Sequence, residues 1–433
     1  MKILIWNIRL LGNAFPDAAT NQQCANLADN LIAAIILQYQ ADVVVIQEVS
    51  QQNGYARMDS IRNILNETTK ANNISWSSDA LPGAFIQNRQ NLQTPLTNPP
   101  TNADLGFCTT SHNEAYGVIW SGNSLAQADT AMSNGAASND FMLAGKHFID
   151  LIYKGDSASP LQATWPYVSA GRTGVLNFPI PKCADISEDE DKDASILRFF
   201  KTRRACVVQL NMGGGIVPCV VYHTPASTKA NLYGSIVGFN SSYISAFQGK
   251  KWIYGGDFNL KDDGPQKATL DRAKQFGGLI TSSLTDQGTT KASVIHYKYV
   301  GGWNGQGYLY ASRDYAFLRN YGNGSDAYVI DPVFDYANAL LKNTGNLVAN
   351  YLRAEAGKAG HIDAVAQMIT SLNFRSTNMD YKGTDYNLVQ IWKDIYAKVN
   401  NDQLPDEPQV WILSSFLYSY LISDHLPVFV QFN

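Results

Sequence analysis

Charge is scarce in this 433-residue chain: Asp, Glu, Lys and Arg supply 16% of it, against about a quarter in an ordinary globular protein. The formal net charge is −4, so no global basic field draws the chain to nucleic acid. Any contact with a polynucleotide has to run through a local patch, a bridging metal, or a weak encounter. Long apolar runs are also lacking, and none approaches the roughly 18 residues that cross a bilayer. Cysteine is sparse: Cys24, Cys108, Cys183, Cys206 and Cys219 form no CxxC pair and no regular framework. They have no histidine at ligand spacing, which excludes a structural zinc site. Mostly free thiols are expected, with a single bridge such as Cys108 to Cys183 left open. The opening MKILIWNIRLLGNAF lacks a small-residue cleavage site, and Asn7 and Arg9 interrupt its apolar run. It therefore reads as a first strand and not as a secretory leader. A cytoplasmic location and an export route without such a leader both stay open.

Polarity comes instead from amides, hydroxyls and 23 tyrosines. Against that background, five short polar motifs stand beside apolar runs. Asn7 closes KILIWN, Gln47-Glu48 follows ADVVVI, and His223 lies in VVYHTPAS. GDFN at 256–259 follows WIYG, and Ser423-Asp424-His425 precedes LPVFVQF. An apolar run of four to six residues ending on a polar side chain reads as a buried strand that delivers the side chain to its tip.

The pattern predicts strands at 2–7, 42–48, 115–121, 251–256, 312–318 and 426–432, with a hairpin of 204–211 and 216–223 about Gly213-Gly214-Gly215. Helices are expected at 20–40, 56–70, 228–247, 265–276, 334–354 and 361–372. The opening strand–helix–strand predicts a parallel pair reached by a crossover. Residues 78–113, rich in Pro, Asn and Thr, read as a long loop. The acidic run 187–193 reads as a solvated surface loop. The expectation is one domain over 1–433, with insertions at about 122–200 and 330–415.

Each motif residue has a mundane alternative. Glu48 could be a solvated turn residue, Asn7 a cap, and Asp257 the start of an Asx-turn. In the sharper reading, Asp257 and Asn259 share one face of an extended segment, with Phe258 on the other. A carboxylate and an amide on one side suit a nucleophilic water and a phosphate oxygen. Glu48 offers a hard cation its carboxylate. His223 and His425, at strand tips among carboxylates, suit proton transfer near neutral pH. Asp314 stands at the polar entry to an apolar strand, where a salt bridge with Arg313 is its alternative. His112, His147, His296 and His361 have no comparable setting.

Eight segments in order resemble the endonuclease/exonuclease/phosphatase superfamily, and most of all its deoxyribonuclease I-like branch. They are WNIR (6–9), DVVVIQEV (42–49), NEAYGVIW (113–120), RRACVV (203–208), YHTPAS (222–227), GGDFN (255–259), SRDYAF (312–317) and ISDHLPV (422–428). The resemblance implies an α/β fold, a four-layer α/β/β/α sandwich with two central mixed sheets. It implies Mg²⁺, or else Mn²⁺ or Ca²⁺, held by Glu48 with Asp257 and Asp424. Asn7, Asn259 and Arg203 or Arg204 would bind the phosphate. His223 would pair with Glu114 and His425 with Asp314, giving two acid–base couples about the phosphorus.

Two positions depart from that branch. Ser50 stands where it has a groove-entering arginine, and His112 where it has a sugar-packing tyrosine. The chemistry is untouched, but the mode of DNA binding is not carried over. A metal-dependent DNA endonuclease, expected to be monomeric, is the leading expectation. A phosphoinositide phosphatase or sphingomyelinase-type phospholipase on the same fold is the alternative. An inhibitor, immunity or carrier protein is the partner class that the insertions suggest.

Overall fold

The computed structural model describes residues 1–12, 19–50, 53–82, 114–125, 206–213, 215–221, 223, 252–259, 280–281, 290–291, 309–311, 314–319, 326–342, 378–381, 384–401, 403–423 and 425–432, with isolated positions between 347 and 370. The expected helices at 228–247 and 265–276, the acidic run, Cys108 and Cys183 lie outside them.

The chain opens with β1 (Lys2–Leu11), α1 (Ala19–Gln38), β2 (Val43–Ser50) and α2 (Gly54–Thr69). Then come β3 (Trp76–Pro82), β4 (Glu114–Ser121), and the hairpin β5 (Cys206–Asn211) with β6 (Ile216–Val221). Next are β7 (Trp252–Asp257), β8 (Ile280–Thr281), the pair β9 (Thr290–Lys291) and β10 (Leu309–Ala311), β11 (Asp314–Arg319) and β12 (Asp326–Val329). The last part holds α3 (Pro332–Lys342), the hairpin β13 (Asn378–Tyr381) and β14 (Thr384–Asn387), α4 (Leu388–Asn400) and α5 (Glu407–Leu417). A π-helical turn, Tyr418–Ile422, then leads to β15 (Val428–Gln431).

Six strands form one mixed sheet in the order β12-β15-β1-β2-β4-β3, in which only β1 and β2 run parallel. Five form another, β5-β6-β7-β11-β8, in which only β6 and β7 run parallel. Strand alternation explains how both faces of the first sheet are buried. Leu4, Trp6, Ile8, Val44 and Ile46 join a cluster with α1, α2, α4 and α5. The alternate residues Ile3, Ile5, Val43 and Val45 join Val208, Leu210, Cys219, Val221 and Ile253 of the second sheet. Each buried aliphatic side chain contributes about 1.5–3 kcal/mol.

One expectation changes. The residues read as loop from 78 begin as strand: β3 pairs with β4 from Trp76↔Ser121 to Pro82↔Ala115. It is an edge strand, where a terminal proline removes no needed donor, and its SSDALP sequence shows no clean alternation. The segment read as a second insertion supplies Ala337, Trp392, Ile395, Trp411 and Leu413 to the same cluster as Trp6 and Leu27. These residues belong to the cluster in which α1 is buried, so the segment packs on the one core.

The two ends of the chain lie side by side. β15 pairs with β1, from Lys2↔Gln431 to Ile5↔Val428. That register carries the residues just before β15 past the end of the ladder, next to Asn7.

Candidate active site

Asn7 and Gln47 sit opposite each other where the regular pairing of β1 with β2 ends and the register shifts. Both continue the alternation of Ile5 and Val45, so both point toward the second sheet. Simple alternation would send Glu48 the other way, into the helices. A bulge prevents it: Ile46 opposes Gly117 and Val49 opposes Ala115, so β2 carries one residue more than β4 between those pairs. Glu48 absorbs the extra residue in the left-handed region, at φ 60°, and Val49 resumes packing on the helix side. Bulges re-aim side chains in this way. Gln47 and Glu48 therefore serve the same side of the sheet.

Asp257 ends β7 on the face of Ile253, the face turned toward β1. Asn7 Nδ2 donates to Glu48 Oε1 at 3.0 Å and to Asp257 Oδ2 at 3.1 Å. His223 Nε2 lies 3.4 Å from the same Glu48 oxygen and 3.6 Å from the same Asp257 oxygen. His425 Nε2 lies 3.7 Å from Asp257 Oδ2. Three side chains from both ends and the middle of the sequence thus converge on two carboxylate oxygens. Asn7, Asp257, His223 and His425 are all buried, whereas the Glu48 side chain keeps 17% of its exposure.

The predicted extended geometry of GDFN is corrected here. Asn259 adopts φ 50°, and its N–H returns to Asp257 Oδ1 at 2.8 Å, an Asx-type turn. The turn keeps Asp257 in the site, because Oδ1 is held locally and Oδ2 faces the histidines. Phe258 stacks on Tyr254, ring centroids 5.2 Å apart. Gly256 at φ 133° supplies a backbone conformation that a side chain would strain.

Several supports were not legible as such. Gln47 Oε1 accepts the Asp257 N–H at 3.1 Å. The Tyr116 hydroxyl accepts the His223 N–H at 2.8 Å. Trp6 Nε1 and the Tyr418 hydroxyl both donate to the His425 carbonyl, at 3.2 and 2.7 Å. Ser423 Oγ donates to the Asn7 carbonyl and accepts the His425 N–H. Gln47 and Ser423 could have been found as neighbours of motif residues. Tyr418 gives no sequence signal, being one of several tyrosines in an apolar stretch.

The other predicted residues are described in part. Glu114 opposes Ser50 at the start of β4, two residues before Tyr116. Asp314 opposes Asp257 across β11 and β7. Arg203, Arg204 and Asp424 lie outside the described residues, as do His112, His147, His296 and His361.

Among the described residues no group of three or more His, Cys, Asp or Glu is arranged to hold a metal ion. The oxygen donors nevertheless suit a hard cation that keeps most of its waters. Glu48 is accessible, and Asn7 Oδ1 is buried with no hydrogen-bond partner among the described residues.

No family model and no curated protein matches the sequence. Solved structures similar to it include an endonuclease/exonuclease/phosphatase family protein from Leptotrichia buccalis, at 14% identity over 76% of this chain and 92% of that one, with TM-score 0.37. Sphingomyelinase C from Streptomyces griseocarneus is similar at 12% identity over 100% and 99%, TM-score 0.40. A mannosyl-6-phosphatase from Bacteroides thetaiotaomicron is similar at 10% identity over 100% and 98%, TM-score 0.41.

Proposed function

We propose that this chain is a divalent-metal-dependent phosphodiesterase that acts on DNA as an endonuclease. The carrying observation is the meeting of His223 and His425 with Asp257 Oδ2, at 3.6 and 3.7 Å, beside the accessible carboxylate of Glu48. Two imidazoles and two carboxylates in one place supply both an acceptor for the proton of an attacking water and a donor for a leaving oxygen.

Glu48, oriented by Asn7 and joined by Asp424, would hold the cation, with Asp257 within reach. Bound there, the cation would offset charge developing on the phosphoryl oxygens. Water attacks phosphorus as one histidine takes its proton. The P–O3′ bond breaks as the other histidine protonates the leaving 3′-oxygen. Asp257 Oδ2 faces both imidazoles, at 3.6 and 3.7 Å, and the Asn259 N–H keeps that carboxylate from turning. Glu114 and Asp314 are the proposed carboxylate partners of His223 and His425. Support for the first comes from strand alternation, since Tyr116, two residues along, reaches the His223 backbone. Asn259 with Arg203 or Arg204 would bind the scissile phosphate.

The proposed architecture is the full four-layer sandwich, with a second helical layer over the five-stranded sheet. Tyr254, on the face of β7 opposite Ile253, is fully buried, which supports a covered outer face.

A phosphoinositide or sphingomyelin headgroup is the second reading, and the net charge of −4 favours the zwitterionic sphingomyelin over either polyanion. Nicking of supercoiled plasmid in Mg²⁺ separates the two. Nicking abolished by EDTA and by His223→Ala supports the endonuclease. Intact plasmid with every metal overturns it, and turnover of either lipid would then support the second reading.

A further inference from the structure

Gln47 is completely buried, so it touches no substrate, and no step above uses it. Its Oε1 accepts the Asp257 N–H at 3.1 Å. The amide orientation follows from chemistry, because a backbone N–H needs an oxygen to receive it. Gln47 belongs to the six-stranded sheet and Asp257 to the five-stranded one. Their bond joins two sheets whose shared interface is mainly apolar, at the end where the site lies and where Asn7 also reaches Asp257 from β1.

The tie sits beside the bulge. Gln47 directly precedes Glu48, whose φ of 60° turns it to the same side. Two successive residues of β2 thus do two related things: one holds the backbone of Asp257, and the next supplies the carboxylate facing it. Asp257 Oδ1 is already fixed by Asn259. Backbone and side chain of Asp257 are therefore each anchored, and the backbone anchor comes from the other sheet. Gln47 Nε2 is buried with no hydrogen-bond partner among the described residues. An apolar residue would fill the same space without desolvating that amide, so the oxygen is what the position requires.

The geometry points to Gln47 as a positioning residue that sets the separation of Glu48 and Asp257, and through Asp257 the reach of both histidines. This rests on the phosphodiesterase reading. Gln47→Met keeps the volume and removes the acceptor, while Gln47→Glu keeps an acceptor oxygen. The probes are supercoiled plasmid and bis(4-nitrophenyl) phosphate in Mg²⁺, with hydrogen exchange at the Asp257 amide as a readout independent of turnover. In Gln47→Met, kcat falls about tenfold to a hundredfold, KM stays within about twofold, and the pH profile of kcat shifts. The Asp257 amide exchanges at least about tenfold faster while those of Ile253 and Tyr254 keep wild-type rates, and Gln47→Glu restores its protection. Unchanged exchange at Asp257, or wild-type kcat in Gln47→Met, overturns the assignment. So does a loss of kcat matched by faster exchange along the whole of β7, which marks a merely structural role. A wild type inactive on both probes removes the phosphodiesterase reading and with it any catalytic meaning of Gln47. The exchange rates then decide whether the tie itself exists.

Discussion

Glu48 Oε1 and Asp257 Oδ2 are bridged twice, by Asn7 Nδ2 at 3.0 and 3.1 Å and by His223 Nε2 at 3.4 and 3.6 Å. Two carboxylates brought this close repel unless donors or a cation stand between them. The amide and the imidazole fill the buried side of that gap, and Glu48 keeps its exposed side. The pair is therefore arranged to receive positive charge from one direction.

That arrangement predicts stabilisation by Mg²⁺. At about ten times its Kd, a cation bound only to the folded chain contributes roughly 1.4 kcal/mol, or a rise of about 1.5 °C in Tm for a chain of 433 residues. Glu48→Gln should abolish the rise and the nicking activity together. Thermal unfolding with and without EDTA checks this, and an undiminished rise in Glu48→Gln would place the cation elsewhere.

Catalysis should depend on His425 being held by its carbonyl. Trp6 and Tyr418 both donate to it, and the two rings stack with centroids 6.2 Å apart. Tyr418→Phe keeps the ring and loses one donor, for a loss of about 1 kcal/mol in urea unfolding. Plasmid nicking should slow by up to about tenfold, because the backbone carrying His425 gains freedom. Wild-type nicking in Tyr418→Phe would mean that Trp6 suffices.

A pH dependence is built into the helical layer. Asp29 in α1 binds Arg57 in α2 at 2.5 Å, and both are buried. Burial pushes the Asp29 carboxyl up to about 6 from 3.8, although Arg57 and Ser60 pull it down. A raised folded-state value favours the folded chain when the carboxyl is protonated. That contribution is fully present below pH 3.8 and lost as pH rises through about 6. Relative to Asp29→Asn, the wild type should lose about 2 kcal/mol between pH 4 and pH 7. Urea midpoints of both proteins across that range check it, and parallel curves would refute it.

The site residues were legible because each stands where an apolar run meets a polar residue. Asn7, Glu48, Asp257, His223 and His425 announce themselves by that contrast alone. What linear pattern does not carry is how backbone irregularities aim them. Alternation would send Glu48 into the helices, and only the extra residue against β4 turns it back. Nor does GDFN reveal that Asn259 folds back on Asp257. Tyr116 and Tyr418 act through single hydroxyls at chain separations of 107 and 7 residues from their partners. No local rule marks either hydroxyl among 23 tyrosines. The helices α4 and α5 were missed because they lie in a long segment between motifs, where no polar residue beside an apolar run draws attention.

The strain at Glu48 separates stability from activity. A non-glycine residue at φ 60° costs about 1 kcal/mol that glycine avoids. Glu48→Gly relieves that strain and also removes one of two facing carboxylates, so the variant should be more stable by about 1 kcal/mol in urea. The lost bond from Asn7 opposes this gain, but Asn7 Nδ2 keeps its bond to Asp257. Glu48→Ala removes the same carboxylate and keeps the strain, so Glu48→Gly should exceed it by the strain energy alone. Both should fail to nick plasmid. If alanine and glycine prove equally stable, the left-handed backbone carries no strain, and the bulge is set by β4 and not held against a local preference.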